Sequence, residues 1–375
     1  MPNLKILCVE QFSDIGGGQR SLLDLLPEFQ QRGWMATVAL PDEGPLCAAV
    51  TALGCETEML RSGSYSSMKK PPSEALRYAK DLPRLARAVD EVVRNRRIDL
   101  LYVNGPRFLP AASWVACRRR IPLLFHCHSR LLQRSAIVLA GVSLRLSRAR
   151  AIACCAFAAE PLRRYASQGR IPVVYNGVGG VTPCAARPSG KIRRIGVVGR
   201  IEPEKGQKEF ILSARRLVKT IPDCQFIVAG APMFSGGEYY SQVVSLAQGL
   251  PVQFLGWQSN LGKLFSGLDL LVVPSASHEA TTRIIPEAYS AGLPVVAFPS
   301  GGIPEILKHN RTGFLAANNT PEALADCIEN AIASAPDVLS SISRTAQMEW
   351  QRRYTLGKYR RRGCRFIAET AGQSV

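Results

Sequence analysis

The sequence predicts an α/β protein made of two doubly wound, Rossmann-like domains, each with a parallel sheet and crossover helices. Short apolar runs alternate with longer helical stretches along the 375 residues, which is the pattern of repeated βαβ units. The runs are continuously apolar rather than alternating, as expected of parallel strands that are buried on both faces. Glycine and proline concentrate between residues 177 and 191, and this composition is typical of a linker.

The predicted strands fall into two sets on either side of that linker. The first set comprises Leu4–Val9, Ala36–Leu40, Leu100–Asn104, Pro122–Phe125, Ala151–Cys155 and Val173–Tyr175, and the second comprises Arg194–Val198, Cys224–Ala229, Val252–Leu255, Leu270–Pro274 and Pro294–Phe298. A chain of this length suits two domains of fewer than about 200 residues better than one core. We therefore place domains at residues 1–185 and 186–350, followed by a terminal helical segment at residues 351–375.

The net charge of +18 is concentrated in one part of the first domain. Residues 61–170 contain 22 Lys and Arg against 6 Asp and Glu. One interpretation of this excess is an anionic partner, namely a lipid headgroup surface, a phosphate-linked acceptor or nucleic acid. The alternative is a solvated basic face without a partner. Nucleic acid is disfavoured because the segment lacks interleaved aromatic residues and any recognisable nucleic-acid motif.

The N-terminus, the apolar stretches and the cysteines of the chain predict a cytoplasmic location. The first ten residues read as a strand rather than as a signal peptide. No stretch reaches the roughly 18–20 apolar residues that a membrane-spanning helix needs. The eleven cysteines include no Cys-x-x-Cys pair and several lie within apolar runs, which favours reduced thiols in the core.

Two polar segments follow predicted strands of the first domain. Gly16-Gly17-Gly18-Gln19 opens a helix after the first strand; such a turn lets a backbone approach a phosphate, although many are only turns. His126 and His128 follow Pro122–Phe125 and point to the same face of an extended chain. No third and fourth metal ligands stand out, so we interpret this as a catalytic or hydroxyl-binding histidine, with a purely structural histidine as the alternative.

Charged residues also follow two predicted strands of the second domain. Arg200 lies at the end of Arg194–Val198, and Lys205 opens the next helix. These two cations suit a leaving diphosphate, because arginine makes bidentate contacts and lysine acts as a point charge; a surface loop is the alternative. Glu279 and Glu287 are separated by seven residues, and two carboxylates in one site suggest recognition of sugar and ribose hydroxyls.

These segments together resemble glycosyltransferase family four, the retaining transferases of the GT-B fold. The similarity covers nearly the whole chain and is strongest from Ile195 to Leu315, where Gly199-Arg200 with Lys205-Gly206 resembles the family's diphosphate motif and Glu279-x7-Glu287 resembles its most specific signature. Further matches, in chain order, are Gly16-Gly17, His128, Tyr175-Asn176-Gly177-Val178, Gly301-Gly302-Ile303-Pro304-Glu305 and Thr312-Gly313-Phe314.

The resemblance implies a fold and a role for each matched residue. The fold is two Rossmann-like domains that face a cleft, with C-terminal helices crossing back to the first domain. The implied roles are Gly16 and Gly17 near the donor phosphates and the acceptor, His128 facing the transferred sugar, Arg200 and Lys205 holding the diphosphate, Glu279 contacting the sugar and Glu287 contacting the ribose. His128 and Glu279 are then the catalytic residues, and neither a metal nor a cofactor is implied.

Two positions depart from the family pattern. Many members carry Gly-Phe-Gly after the first glutamate of the signature, where this chain has Ala280-Thr281-Thr282. Thr281 and Thr282 are expected to shape the sugar pocket and to offer backbone N–H groups to the phosphate. The usual glutamate after Gly-Gly is Gln19, whose amide still donates and accepts hydrogen bonds.

The sequence therefore predicts a retaining, metal-independent glycosyltransferase that moves a hexose or related sugar from a nucleotide-diphosphate sugar to a glycan, a polysaccharide precursor or a lipid-linked acceptor. The basic first domain predicts a peripheral contact with an anionic membrane through residues 130–150. A sugar-nucleotide epimerase of the same fold and a non-catalytic nucleotide-sugar-binding protein are the alternatives.

Overall fold

The computed structural model describes residues 4–62, 72–166, 170–183, 192–233, 236–276 and 279–373. The chain divides into two compact units. Unit 1 comprises Met1–Asn176 and Leu356–Val375, and unit 2 comprises Gly177–Thr355. The predicted boundary near residue 185 lies within residues 184–191, outside the described part of the chain.

Unit 1 contains a parallel six-stranded sheet in the order β3-β2-β1-β4-β5-β6. Its strands are β1 (Lys5–Glu10), β2 (Met35–Leu40), β3 (Glu56–Met59), β4 (Leu100–Asn104), β5 (Leu123–Cys127) and β6 (Arg150–Ala153). The helices that connect them are α1 (Gly17–Gln31), α2 (Pro45–Ala52), α3 (Pro72–Arg96), α4 (Leu109–Arg119), α5 (Arg134–Leu146) and α6 (Ala156–Ala159), followed by a 3₁₀ turn at Glu160–Tyr165.

Unit 2 repeats this architecture, with a parallel six-stranded sheet in the order β12-β11-β10-β7-β8-β9. Its strands are β7 (Arg194–Val198), β8 (Gln225–Ala229), β9 (Val252–Gly256), β10 (Leu270–Val273), β11 (Val295–Ala297) and β12 (Phe314–Leu315). Its helices are α7 (Gln207–Leu217), α8 (Gly236–Leu246), α9 (Leu261–Ser266), α10 (Ile284–Ser290), α11 (Ile303–Ile306), α12 (Pro321–Ala333) and α13 (Pro336–Glu349), with a 3₁₀ turn at Pro203–Lys205 and a π turn at Trp350–Tyr354.

The last helix, α14 (Leu356–Thr370), belongs to unit 1. The hydroxyl of Tyr359 donates a hydrogen bond to the backbone carbonyl of Ser21 at 2.9 Å, which anchors α14 to α1. Cys364 and Ile367 are fully buried in the core that surrounds β1 and β4. The chain therefore returns to its first unit to complete that core, as the resemblance implied.

Each sheet has one pair of neighbouring strands at which the direction of winding reverses. In unit 1 this pair is β1 and β4, and in unit 2 it is β7 and β10. Loops that follow such a pair diverge to opposite sides of the sheet and leave a crevice at the carboxyl ends of the strands, where open α/β sheets bind ligands. The switch points therefore locate the candidate site in each unit.

The prediction of two doubly wound parallel sheets is confirmed, whereas individual strands differ. β3 and β12 were not predicted, because three of the four residues of the edge strand β3 are polar and β12 has only two residues. The prediction of a strand at Val173–Tyr175 is wrong, since Val173 forms only an isolated bridge to Ala153. Within the described ranges, no helix combines the length and the apolar character needed to cross a bilayer.

Candidate functional site

The candidate site of unit 1 is built around two residues that end neighbouring strands. Glu10 is the last residue of β1, Asn104 is the last residue of β4, and the two lie directly opposite each other in the parallel register. Both are almost completely buried. The reversal of winding between β1 and β4 thus places a carboxylate and an amide together at the carboxyl edge of the sheet.

Glu10 accepts three hydrogen bonds, and all come from N–H donors. Its Oε2 accepts from Nε2 of Gln19 at 2.9 Å and from the backbone N–H of Gln11 at 3.3 Å, while its Oε1 accepts from Nδ2 of Asn104. Burial raises the pKa of Glu10 from 4.5 to about 7, although the three donors act in the opposite direction. Glu10 is therefore a buried carboxyl group that titrates near neutral pH.

His128 follows β5 and is joined to this cluster through Asn104. Its Nε2 lies 2.6 Å from Oδ1 of Asn104. Burial lowers the pKa of His128 to about 3, so its ring is neutral at physiological pH. A neutral imidazole at this position can still accept a hydrogen bond from a hydroxyl group, but it does not act as a general acid.

His126 lies two residues earlier on β5 and is fully buried. Its Nδ1 is 2.6 Å from the hydroxyl of Tyr102, and its ring centroid is 3.9 Å from that of His128. Burial and the neighbouring His128 both lower its pKa well below the usual range. His126 therefore packs against His128 as a neutral ring, with the two ring planes tilted by 40°.

The three glycines before α1 have different environments. Gly16 is the N-cap of α1, and its backbone N–H donates to Oε1 of Gln19 at 3.2 Å. A Cβ atom on Gly17 would meet no atom within 4 Å, whereas one on Gly18 would lie 3.3 Å from Cγ of His128. A side chain at residue 18 would therefore press on the His128 ring, whereas residue 17 has room for one and would require glycine only for an approaching ligand.

The candidate site of unit 2 is formed by the segments that follow β7 and β10. Arg200 comes two residues after β7, and its backbone carbonyl accepts from Nε2 of Gln207 at 2.7 Å. Lys205 ends the 3₁₀ turn, and Gly206 follows it with a positive φ of 74°. A Cβ atom on Gly206 would overlap the backbone carbonyl of Pro274, so the turn lies directly against the end of β10.

Lys205 and Glu279 form an ion pair between Nζ and Oε2 that joins these two segments. The backbone carbonyl of Glu279 accepts a hydrogen bond of 2.8 Å from the N–H of Gly302, and a Cβ atom on Gly301 would overlap the same carbonyl. Glu279 is thus held by its side chain toward β7 and by its backbone toward the loop after β11. The structure brings together three of the predicted segments at the carboxyl edge of this sheet.

The remaining predicted residues of unit 2 lie on and just before α10. Thr281 is half-buried and Thr282 is buried ahead of the helix, and Glu287 is half-buried in its first turn. Tyr289 of the same helix donates from its hydroxyl to Oγ1 of Thr312 at 2.8 Å, which fixes α10 against the turn before β12. Because α10 is anchored in this way, Glu287 has a defined position at the edge of the sheet.

Sequence reasoning missed Glu10 and Asn104. Both ended apolar runs that were read only as strands, and they are 94 residues apart in the chain. A signal was nevertheless present, since each is a polar side chain at the carboxyl end of a strand in an α/β sheet. Gly206 and Gly301 were quoted as motif glycines, but their close approach to Pro274 and Glu279 could not be read from the sequence.

Comparison with protein families matches both halves of the chain. The family model described as Glycosyltransferase Family 4 matches residues 15–179, and the model described as Glycosyl transferases group 1 matches residues 186–347. The gap between the two matched ranges, residues 180–185, lies within the predicted linker.

Curated relatives and solved structures give a consistent picture. A D-inositol 3-phosphate glycosyltransferase of Mycolicibacterium gilvum is 31% identical over 205 residues, which is 50% of this chain and 45% of that protein. The chain thus spans less than half the length of the curated relative that it matches. Among solved structures, Anabaena Alr3699/HepE in complex with UDP-glucose matches with a TM-score of 0.80 at 21% identity, covering 98% of this chain and 100% of that one. The sucrose-phosphate synthase of Thermosynechococcus elongatus matches with a TM-score of 0.76 at 18% identity, covering 98% and 99%.

Proposed function

Because this chain belongs to glycosyltransferase family four and has the GT-B fold, we propose that it transfers a sugar from a nucleotide-diphosphate sugar to an acceptor, with retention of the anomeric configuration. The acceptor is a glycan, a polysaccharide precursor or a lipid-linked molecule. The observation that carries the proposal is the ion pair of Lys205 and Glu279 at the switch point of unit 2, which combines a cation for a diphosphate with a carboxylate for hydroxyl groups.

The proposal assigns the donor to unit 2. Arg200 grips the diphosphate with two N–H groups, and Lys205 adds a second positive charge. One N–H of the Lys205 ammonium is used by Glu279, which leaves two donors for phosphate oxygens. Glu279 accepts hydrogen bonds from the sugar and Glu287 from the ribose, while Thr281 and Thr282 shape the sugar pocket in place of the family's glycines.

In the reaction, the bond between the anomeric carbon and the β-phosphate oxygen breaks, and a bond from the acceptor oxygen to that carbon forms on the same face. The departing phosphate takes the acceptor's proton. Arg200 and Lys205 stabilise the negative charge that develops on the leaving diphosphate, and positive charge placed in advance at that point lowers the barrier. Holding both reactants in line accounts for much of the remaining acceleration.

The proposal assigns Gly16, Gly17 and His128 of unit 1 to the reacting groups. Gly17 has open space where a side chain would be, which suits a backbone that a phosphate or an acceptor approaches closely. His128 binds a hydroxyl of the transferred sugar as a neutral ring, because its pKa of about 3 prevents it from carrying charge at neutral pH. His128 thus contributes orientation and does not move a proton.

The test is nucleotide release from a panel of donors, beginning with UDP-glucose, UDP-galactose, GDP-mannose and ADP-glucose. Each donor is mixed with extracts that contain candidate acceptors or with D-inositol 3-phosphate. The name of the curated relative suggests the latter. Release of nucleotide diphosphate that requires an acceptor supports the proposal. Isomerisation of a donor without acceptor would establish an epimerase, and binding without turnover would establish a non-catalytic protein. The anomeric proton coupling of the product reports retention or inversion.

Lys205→Met and Lys208→Met form a matched pair for the donor assignment. Lys208 lies three residues later and is exposed at the start of α7. We expect Lys205→Met to reduce turnover by about 10²-fold, because it removes a charge that the leaving group needs, and Lys208→Met to leave turnover unchanged. Equal rates in the two variants would contradict the role of Lys205.

The proposal includes an anionic membrane surface as the place where the acceptor is met. Helix α5 presents an apolar surface to solvent that is formed by Val138, Leu139, Val142 and Leu146, with Leu132 just before the helix. Leu146 is 71% exposed and Leu132 is 56% exposed. The exposed side chains of Arg134, Arg145 and Arg148 flank this surface, and Trp114 of the neighbouring α4 adds a half-exposed ring with Arg118 over its face. Apolar and basic side chains combined on one helix are typical of segments that lie in a lipid interface.

Vesicle flotation tests this membrane contact. The wild-type protein should float with vesicles of phosphatidylcholine and phosphatidylglycerol and should remain unbound with phosphatidylcholine alone, because the basic side chains need anionic headgroups. Leu139→Ser with Leu146→Ser should abolish flotation. The matched control is Val338→Ser with Met348→Ser, which changes two exposed apolar residues of α13 in unit 2. Flotation that is independent of anionic lipid would remove the anionic headgroups from the proposal, and a lack of flotation with either vesicle would remove the membrane.

A further inference from the structure

We propose that Glu10 and Asn104 are positioning residues that hold His128 in a single tautomer, with the proton on Nε2 and a free lone pair on Nδ1. The role of this tautomer in catalysis rests on the proposed function, because the tautomer determines which nitrogen of His128 accepts a hydrogen bond from a sugar hydroxyl. The structural content of the inference is independent of any donor or acceptor.

The orientation of the Asn104 amide follows from the groups around it. One terminal atom of the side chain lies within hydrogen-bonding distance of the Glu10 carboxylate and 3.1 Å from the backbone carbonyl of Gly18. A carbonyl oxygen only accepts hydrogen bonds, so this atom must be the NH₂ group. The Gly18 contact fixes the orientation even when Glu10 is protonated.

The tautomer of His128 follows from the amide. With its NH₂ group directed to Glu10 and Gly18, Asn104 presents Oδ1 to Nε2 of His128 at 2.6 Å. An amide oxygen accepts, so Nε2 must donate and must carry the proton. Because the ring is neutral, Nδ1 is then a bare acceptor. Nδ1 is buried and has no hydrogen-bond partner among the described residues, which leaves one unmet acceptor for a ligand O–H group.

The same carboxylate also fixes the glycine turn. Gln19 donates to Glu10 through Nε2 and accepts from the N–H of Gly16 through Oε1. The resemblance to the family places a glutamate at residue 19, where this chain has an amide, and the buried carboxylate is supplied by residue 10 of β1 instead. Glu10 and Gln19 thus form an acid–amide pair with the acid on the strand and the amide on the helix.

The first experiment measures the ring-nitrogen chemical shifts of His128 by NMR, which distinguish protonated from bare nitrogen. The chain has only four histidines, so a His128→Phe variant assigns the signals. We expect Nε2 protonated and Nδ1 bare at pH 7 in the wild type, and a mixture of tautomers in Asn104→Ala. Asn176→Ala is the matched control, because it removes another buried amide of unit 1 that bonds to Ser21, and it should leave the signals unchanged. A proton on Nδ1 in the wild type, or a single tautomer in a folded Asn104→Ala variant, would overturn the proposal.

The second experiment exchanges the acid and the amide between residues 10 and 19. It keeps the proposal testable if the Asn104→Ala variant does not fold. Glu10→Gln alone sets two amide N–H donors against each other. We expect this variant to reduce the turnover of UDP-glucose at least about tenfold with little change in KM. The reason is that misplacing a positioned group by about 1 Å costs up to about 10²-fold in rate. Adding Gln19→Glu restores one acid and one amide, and turnover should return to within about threefold of the wild type. A double variant as impaired as Glu10→Gln would contradict the proposal. If UDP-glucose is not turned over at all, the donor assignment fails, while the tautomer measured in the first experiment still decides this inference.

Discussion

Gly206 and Pro274 lie in such close backbone contact that no side-chain carbon can be accommodated at residue 206. Gly206 follows Lys205, and Pro274 follows β10. The contact therefore seats the cation-bearing turn on the strand that leads to Glu279. The identity of one glycine thus determines whether the two halves of the unit 2 site meet.

Gly206→Ala is expected to reduce the free energy of unfolding by more than the cost of placing alanine in a left-handed backbone conformation. Gly206 and Gly249 have almost the same φ, 74° and 75°, but a Cβ atom on Gly249 would meet nothing within 4 Å. We expect Gly249→Ala to cost about 1–2 kcal/mol for its backbone conformation and Gly206→Ala to cost about 1–3 kcal/mol more for overpacking. Thermal melting of the two variants measures the difference, and equal melting temperatures would show that the turn can move away from β10.

Glu279→Gln is expected to affect activity far more than stability. Its ion pair with Lys205 is partly exposed, with 13% and 21% of the two side chains accessible, so solvent screening keeps the loss of stability at about 1 kcal/mol or less. Turnover should fall by about 10²-fold, because the sugar loses an acceptor and Lys205 loses its position. Glu238→Gln, on α8 of the same unit, is the control. A variant with wild-type turnover would exclude Glu279 from the site.

Gly17→Ala is expected to separate function from folding. The open space at Gly17 and its position in the first turn of α1 mean that alanine should preserve or slightly raise stability, since glycine is a poorer helix former by about 1 kcal/mol. The affinity for the donor should nevertheless fall, because a methyl group would occupy the approach to the backbone. Titration with UDP-glucose followed by melting temperature measures this loss of binding. Unchanged binding would mean that the glycine serves only the turn.

The buried carboxyl group of Glu10 is expected to make unit 1 less stable as the pH rises. Its pKa is raised from 4.5 to about 7 in the folded protein, so the folded state binds its proton more tightly than the unfolded state does. The stabilisation is complete below about pH 4.5 and is lost as the pH rises through 7, by about 3 kcal/mol in total.

Hydrogen exchange of peptides from β1 and β4 measures this effect within unit 1. The protection of the wild type relative to Glu10→Gln, compared at equal pH, should decrease between pH 5 and pH 8. His126 and His128, whose pKa values are lowered, contribute in the opposite sense below pH 6.5, but both proteins share that contribution. Parallel curves for the two proteins would contradict the raised pKa.

The sequence was sufficient for the two sheets because short, continuously apolar runs such as Leu270–Val273 alternate with longer helical stretches, which is the pattern of buried parallel strands. It also predicted that Arg200 and Glu279 follow strands of the second sheet, as they do, while their roles stay predictions. The pairing of Glu10 with Asn104 was not predictable in the same way, because it depends on the order of strands in the sheet rather than on any local pattern. The state of His128 depends in turn on that pairing, so its role as a neutral ring emerged only from the structure.

The return of α14 to unit 1 has a consequence for biosynthesis. Tyr359, Cys364 and Ile367 belong to the core around β1 and β4, yet the whole of unit 2 is translated before they are. While the ribosome is still making unit 2, the nascent first unit has an apolar groove beside α1 that its own chain cannot yet fill. Unit 2 has no such dependence, since all of its strands lie between residues 194 and 315. The second unit can therefore complete its fold before the first, in the reverse of the order in which they are synthesised.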